Sequence, residues 1–183
     1  WIGTLIAKLT PIVKHQNSTI EKIGGILIII IISSIVILLL LSIDVGISLI
    51  PIDYISLIVS VIVGAILLKT TIAIRGMEKH AISVLESLEN NNLDMARNYL
   101  SMIVKRNTTN LDKNHVLSGV LESISENTVD GITGPMFYYA FFGLPGAFFY
   151  RIVNTADSMI GYKNDLFKNL GWFTATCDTI LNY

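Results

Sequence analysis

Between Ile23 and Ile43 the chain runs for 21 residues without a charge, and no other feature constrains its fold as strongly. Coiled as an α-helix at about 1.5 Å per residue, this run spans roughly 31 Å, the thickness of a bilayer's hydrocarbon core. A cleaved signal peptide fits less well, because its apolar stretch is usually about 7 to 15 residues and ends at a small-residue cleavage site, which this sequence lacks. Tyr54 to Leu68 forms a second uncharged run of 15 residues. It reaches Ile74 if Lys69 extends its stem towards the headgroups. The chain reads as all-α, a multipass helical integral membrane protein with spans at about 23–43 and 54–74.

Composition bears on partners. Hydrophobic residues make up 52% of the chain and charged residues 15%, against roughly 25% charged in soluble domains. The formal net charge of -1 supplies no field to attract nucleic acid, so the lipid bilayer is the first partner expected. A single cysteine, Cys177, excludes a disulfide framework and a multi-thiolate zinc site. His15, His80 and His115 lack the paired spacing of metal ligands.

Charge also divides the chain. Lys8, Lys14 and Lys22 precede the first span, and Lys69, Arg75 and Lys79 lie at or beyond the end of the second. The positive-inside bias puts both flanks in the cytoplasm and the acidic connection Asp44 to Asp53 outside. Residues 1–75 thus form an N-terminal transmembrane hairpin. In 76–130, 13 of 55 residues are charged, as in a water-exposed segment. Met77, Ile82, Val84, Leu85 and Leu88 predict one helix and Leu93 to Val104 a second; Val116, Val120, Leu121 and Ile124 mark the buried face of a third, capped by Asn110 or Asp112. Gly131 to Pro135 is expected to break that helix. The uncharged, aromatic-rich Met136 to Tyr150 follows, with Gly143 to Pro145 and Gly146 forming a kink or turn. Region 131–183 reads as re-entrant or membrane-embedded, because a crossing would place Arg151, Lys163 and Lys168 outside. Trp1 at one end and Tyr183 at the other make the sequence read as a fragment, cut at the C-terminus.

Two polar runs could carry chemistry. At about 100° per residue His115, Glu122 and Glu126 share one face of the third helix, and Asn127 and Asp130 follow. Such a stripe is either a solvated face or a site where carboxylates hold Mg²⁺ or an ammonium group. Asn154, Thr155, Asp157, Ser158, Gly161 and Tyr162 form the second run, extended by Lys163. It is either a ligand cradle or a capped helix start. Arg97, Lys105 and Arg106 form a basic group able to meet phosphate, although no glycine-rich P-loop is present.

The runs Glu122 to Gly131 with Pro135, Gly143-Leu-Pro-Gly146 and Val153 to Tyr162, in that order, resemble the adenosylcobinamide-phosphate synthase family of cobalamin biosynthesis. The likeness extends to Trp1-Ile-Gly3, Ala96-Arg97, Arg106 with Thr108, Gly171-Trp172, Asp178 and Asn182; Lys105 and Asn107 depart from the glycine and aspartate expected around Arg106. The resemblance implies a carbon–nitrogen ligase of the cell membrane, its polar motifs on the cytoplasmic side and its members longer at both ends. ATP and Mg²⁺ would be used to join adenosylcobyric acid, a corrinoid, to aminopropanol or its phosphate. Glu122, Glu126, Asp130 and Asp157 are then the catalytic candidates, with Glu126 and Asp130 for Mg²⁺. Arg106, Asn127, Asn154, Thr155, Ser158, Gly161, Tyr162 and Lys163 are the substrate-binding ones. Partners are the corrinoid and a small amine, and a homo-oligomer is allowed. The alternative is a membrane corrinoid-binding or transport component without catalysis.

Overall fold

Helix α1, Ile2–Val13, precedes the long apolar run and was not foreshadowed by it. The computed structural model describes residues 1–73, 75–104, 106–162 and 166–183, and among them no strand occurs. Helix α2, Ser18–Ser48, is 31 residues long, about 46 Å at helical rise. Its length exceeds the uncharged run because Asn17 caps it, accepting from the Thr19 amide at 2.9 Å, and because Asp44 continues the helix instead of opening a loop. Helix α3, Asp53–Thr71, stops short of the expected Ile74, which lies outside the described residues. Both α2 and α3 are long and apolar enough to cross a membrane.

The chain divides into two units. Trp1–Thr71 with Gly134–Tyr183 forms the first, and Ile72–Thr133 the second.

The first unit is built on one buried seam of α2. Ile28, Ile29, Ile32, Val36 and Leu40 pack with Ile2 and Ile6 of α1 and with Phe148, Ile152, Val153 and Ala156 of α7, Gly134–Ile160. Helix α7 is a pair of helical legs, 134–142 and 144–160, joined at Gly143, where φ is 63° and ψ is -156°. Residues with a Cβ essentially never adopt that backbone. The legs fold back on each other: a Cβ at Gly146 would strike the Tyr138 carbonyl and Phe142, and one at Gly134 would strike the Tyr150 ring. Tyr138 and Tyr150 stack across the gap with ring centroids 5.3 Å apart. The expected turn over Gly143 to Gly146 is thus a single broken residue, with Pro145 and Gly146 already inside the second leg. Pro145 is tolerated there because a helix's first amides have no partner to lose.

Around α2's start the chain returns. Asn169 accepts from the Ser18 hydroxyl at 2.9 Å and donates to the buried Glu21 carboxylate at 3.2 Å. Helix α8, Trp172–Leu181, then packs along α2 and α7. Lys14 and Lys22 lie over the rings of Phe167 and Trp172, so cations and aromatics gather at this end. At the other end, the α7 bend and the halves of α2 and α3 beside it enclose a mainly apolar cavity of about 320 Å³, lined among others by Ile37, Leu40, Val63, Leu67 and Leu144.

In the second unit α4, Arg75–Glu89, α5, Leu93–Ser101, and α6, Lys113–Thr128, share a small core. The buried stripe of α4 is Ala81, Val84 and Leu88, whereas Ile82 and Leu85 are exposed, and the Met77 side chain lies outside the description. On α6 the core face holds Val116, Gly119, Val120 and Ser123. Leu121 and Ile124, expected inside, are exposed, because residues 116, 120 and 123 fall on one side of a 3.6-residue turn and residue 121 lies 100° beyond 120. Helix α5 ends at Ser101, short of the expected Val104. Asn91 adopts a left-handed φ of 55° between α4 and α5, and Asn92 caps α5 by accepting from the Met95 amide at 3.0 Å.

Gly131 to Pro135 does not break the chain's helical path into a loop. Val129–Thr133 forms a π-helical turn, and Pro135 falls in the first turn of the next helix.

Candidate functional site

The carboxylate run of the second unit begins at α6, whose start is fixed by Asp112. Its side chain accepts from the His115 amide at 2.9 Å, and the His115 ring nitrogen Nδ1 lies 2.8 Å away. The amide bond first, and the ring second, hold the Asp112 carboxyl below its ordinary range. His115 is committed to this cap, so the expected stripe of His115, Glu122 and Glu126 resolves into separate pairs. Glu122 meets Arg106, Oε2 to Nη2 at 2.8 Å. Glu126 is exposed, and Asn127 donates to the Ser123 carbonyl at 2.9 Å.

Asp130 sits half-buried in the π turn. That turn is tied down locally: the Gly131 carbonyl accepts from the Ala73 amide at 3.0 Å, and a Cβ at Gly131 would strike the Ala73 carbonyl. Single π turns are frequent at functional sites because they re-aim side chains out of helical register. Glu126 and Asp130 offer the oxygen donors Mg²⁺ takes together with substrate phosphates and water. Among the described residues no three His, Cys, Asp or Glu side chains are grouped to hold a metal.

The second polar run lies in the first unit, inside the long leg of α7, so Asn154 and Thr155 start no helix. Asn154, Asp157, Ser158 and Gly161 fall at i, i+3, i+4 and i+7 and share a face, while Val153, Ala156 and Ile160 enter the core. Asn154 is buried and accepts from Arg151 at 3.4 Å. The Thr155 and Ser158 hydroxyls donate back to the carbonyls of Arg151 and Asn154, at 2.7 and 2.9 Å. Asp157 is half-buried, with its carboxylate folded against Gly161, where a Cβ would collide with it. The Gly161 amide donates to the Asp157 carbonyl at 2.8 Å and closes the helix. Tyr162 is exposed beyond it, and Lys163 lies outside the described residues.

A further polar chain lies outside the candidate site residues. The fully buried Tyr150 donates to Asn182 Oδ1 at 2.6 Å, Asn182 donates to Asp178 at 3.2 Å, and Tyr138 donates to the Leu181 carbonyl at 3.0 Å. Asp178 and Asn182 fall within the likeness the sequence carries, whereas nothing in the sequence paired them with Tyr150.

A polar face on a broken helix in the first unit, a π turn carrying a carboxylate in the second and two helices long and apolar enough to cross a membrane define the class as an all-helical protein. The chain belongs to the CobD/Cbib protein family, whose model matches residues 1–183. It is 47% identical over 127 residues to a probable cobalamin biosynthesis protein CobD of Thermoplasma acidophilum, covering 69% of this chain and 42% of that protein. A similarly named protein of Methanocaldococcus jannaschii is 39% identical over 186 residues, covering 100% of this chain and 59% of its own length. The cobalamin biosynthesis protein CobD of Halalkalibacterium halodurans is 42% identical over 138 residues, covering 75% and 43%. The chain thus spans roughly half the length of these relatives. No solved structure matches it.

Proposed function

We propose that this chain works in cobalamin biosynthesis as an ATP-dependent ligase of the cytoplasmic membrane, joining the propionate carboxylate of adenosylcobyric acid to aminopropanol or its phosphate. The observation that carries this reading is the family match across all 183 residues, which takes in both polar runs. In this reading α2 and α3 cross the bilayer, and the positive-inside bias puts the start of α2 in the cytoplasm. The α7 hairpin re-enters from that side, because Asn169 reaches Glu21 and a Cβ at nearby Gly171 would strike the Ile160 carbonyl at the end of the long leg.

A carboxylate is a poor acyl donor. Transfer of the terminal phosphoryl group of ATP to its oxygen gives an acyl phosphate and ADP. The neutral amine nitrogen then attacks the acyl carbon, the carbon–oxygen bond to phosphate breaks, and the proton on nitrogen passes to a carboxylate. Glu122, Glu126, Asp130 and Asp157 are the groups assigned to contact the amine or take that proton. Mg²⁺, held by Glu126 and Asp130, would offset phosphate charge when bound. Asn127, Asn154, Thr155 and Ser158 orient substrate by hydrogen bonds, Gly161 and Tyr162 border them, and Arg106 and Lys163 hold phosphate.

The test uses the full-length protein in vesicles with ATP, adenosylcobyric acid and aminopropanol or its phosphate. ATP consumption coupled to amide formation is expected. Recovery of the corrinoid chemically unchanged would instead mark a carrier. Asp130→Asn and Asp157→Asn should each lower ligation by about 100-fold or more, the scale of a lost acid–base group, without altering membrane insertion. Full activity in both would reject the assignment.

A further inference from the structure

Among the described residues, the second unit contains an open cavity of about 470 Å³ lined by polar residues, among them Asp94, Arg97, Asn98, Ser101, Arg106 and Asn107. Much of the surface they present is that of their carbon stems, but two guanidinium groups reach it, and the planar fork of arginine matches phosphate oxygens in pairs.

The cavity is built rather than incidental. Arg97 Nε donates to the Leu111 carbonyl at 2.7 Å, and the Arg97 carbonyl accepts from the buried Thr108 hydroxyl at 2.9 Å. These two bonds clamp the loop after α5 onto that helix. Asn107 closes the loop by accepting from the Thr109 amide at 3.0 Å and from its hydroxyl at 2.8 Å. Arg106 crosses α6 at Gly119, where a Cβ would lie 2.9 Å from its Nη2, and reaches Glu122. The missing side chain at Gly119 is what seats the guanidinium.

Both arginines hold replaceable partners. Arg97 Nη1 lies 2.9 Å from Asp94, whose side chain is 92% exposed, and the Glu122 side chain on Arg106 is 59% exposed. Surface pairs of this kind contribute little. A multiply charged oxyanion presenting two acceptors to each fork can displace them.

We propose that this cavity binds a phosphate group, with Arg97 and Arg106 as its two charged arms and Ser101, Asn107 and Thr109 completing the wall. The natural source, a small amine's phosphate ester or the terminal phosphate of a nucleotide, rests on the ligase reading; the site itself does not.

The full-length protein in a phosphate-free maltoside detergent is titrated calorimetrically with inorganic phosphate, aminopropanol phosphate, unphosphorylated aminopropanol and a non-hydrolysable ATP analogue. Inorganic phosphate should bind, and Arg106→Gln should weaken it at least tenfold. Gly119→Ala should weaken it severalfold, since its Cβ would press on the Arg106 guanidinium and on the buried Leu100. Asp94→Asn and Glu122→Gln should tighten binding, a sign that damage to the fold cannot produce. Tighter binding of the amine ester than of inorganic phosphate assigns the amine as source, and tighter binding of the ATP analogue assigns the nucleotide; either sustains the site. No phosphate binding, unchanged affinity in Arg106→Gln, or weaker binding in both charge-removing variants overturns it. Phosphate binding without any amide formation upholds the site and sinks the ligase reading.

Discussion

Leu38 of α2 and Leu121 of α6 are equally exposed, at 64% and 65%, yet they belong to opposite surfaces. Around Leu38 the outward neighbours are Ile31, Ile35 and Leu39, also exposed, so one continuous apolar surface surrounds the buried seam. Around Leu121 the outward residues include Glu122, Ser125 and Glu126. An isolated exposed leucine among charges is ordinary in water, whereas a helix apolar on every side needs a non-aqueous neighbour. Exposure alone says nothing about solvent; the company of the residue does.

This contrast can be broken or sharpened by substitution. The largest effect is expected at the small core of the second unit. Leu100→Ala removes a fully buried side chain at a cost of about 2–5 kcal/mol, and hydrogen exchange should show protection collapsing in α4 to α6. Next comes the paired comparison. Leu38→Asp should cost about 3 kcal/mol in a membrane-insertion assay, while Leu121→Asp should stay within about 0.5 kcal/mol in thermal melts. Equal costs would remove the argument for lipid around α2. Third, Gly143→Ala forces a Cβ into the positive-φ bend and should cost about 1–3 kcal/mol, read as lost proteolytic protection of the α7 legs with α4 to α6 unaffected.

The smallest effect concerns pH. Asp112 has a lowered folded-state pKa, so its stabilisation of α6 is fully present above the unfolded carboxylate value and is lost as pH falls through the folded one. Melting of Asp112→Ala should therefore lie below that of the parent at neutral pH, and the gap should narrow on acidification. A gap independent of pH would mean that the cap's charge plays no part.

The two regions also differ in how far their structure could be read beforehand. Uncharged length located α2 and α3, because a charge in hydrocarbon is costly and its absence over about 20 residues is rarely accidental. It could not place their ends: Asn17 and Asp44 are polar, and whether such residues cap, interrupt or continue a helix depends on what surrounds them. In the second unit the Asp112 cap, one of the two the sequence offered, was legible, since a cap is a local hydrogen-bonding choice. The buried stripes of α4 and α6 were not. Ala81 and Gly119 point inward where Ile82 and Leu121 looked the better candidates, because close helix contact selects small residues for fit as well as large ones for area.

At the polar runs, the sequence supplied the residue types and the structure their partners. Glu122 and His115 share a helix face by arithmetic, yet one holds Arg106 and the other Asp112. The π turn at Asp130 arises from a backbone hydrogen-bond register that no residue type specifies.

By itself, then, the order of amino acids determined that the chain is helical, that two helices are long and apolar enough for a bilayer, and that its polar motifs belong to one family. Those properties follow from composition over short windows and from local hydrogen bonding. Only tertiary structure decided that α7 doubles back at Gly143, that Tyr150 reaches Asn182, and that Arg97 and Arg106 border one cavity. Each of these depends on contacts between residues that packing brings together and that sequence spacing leaves unconstrained.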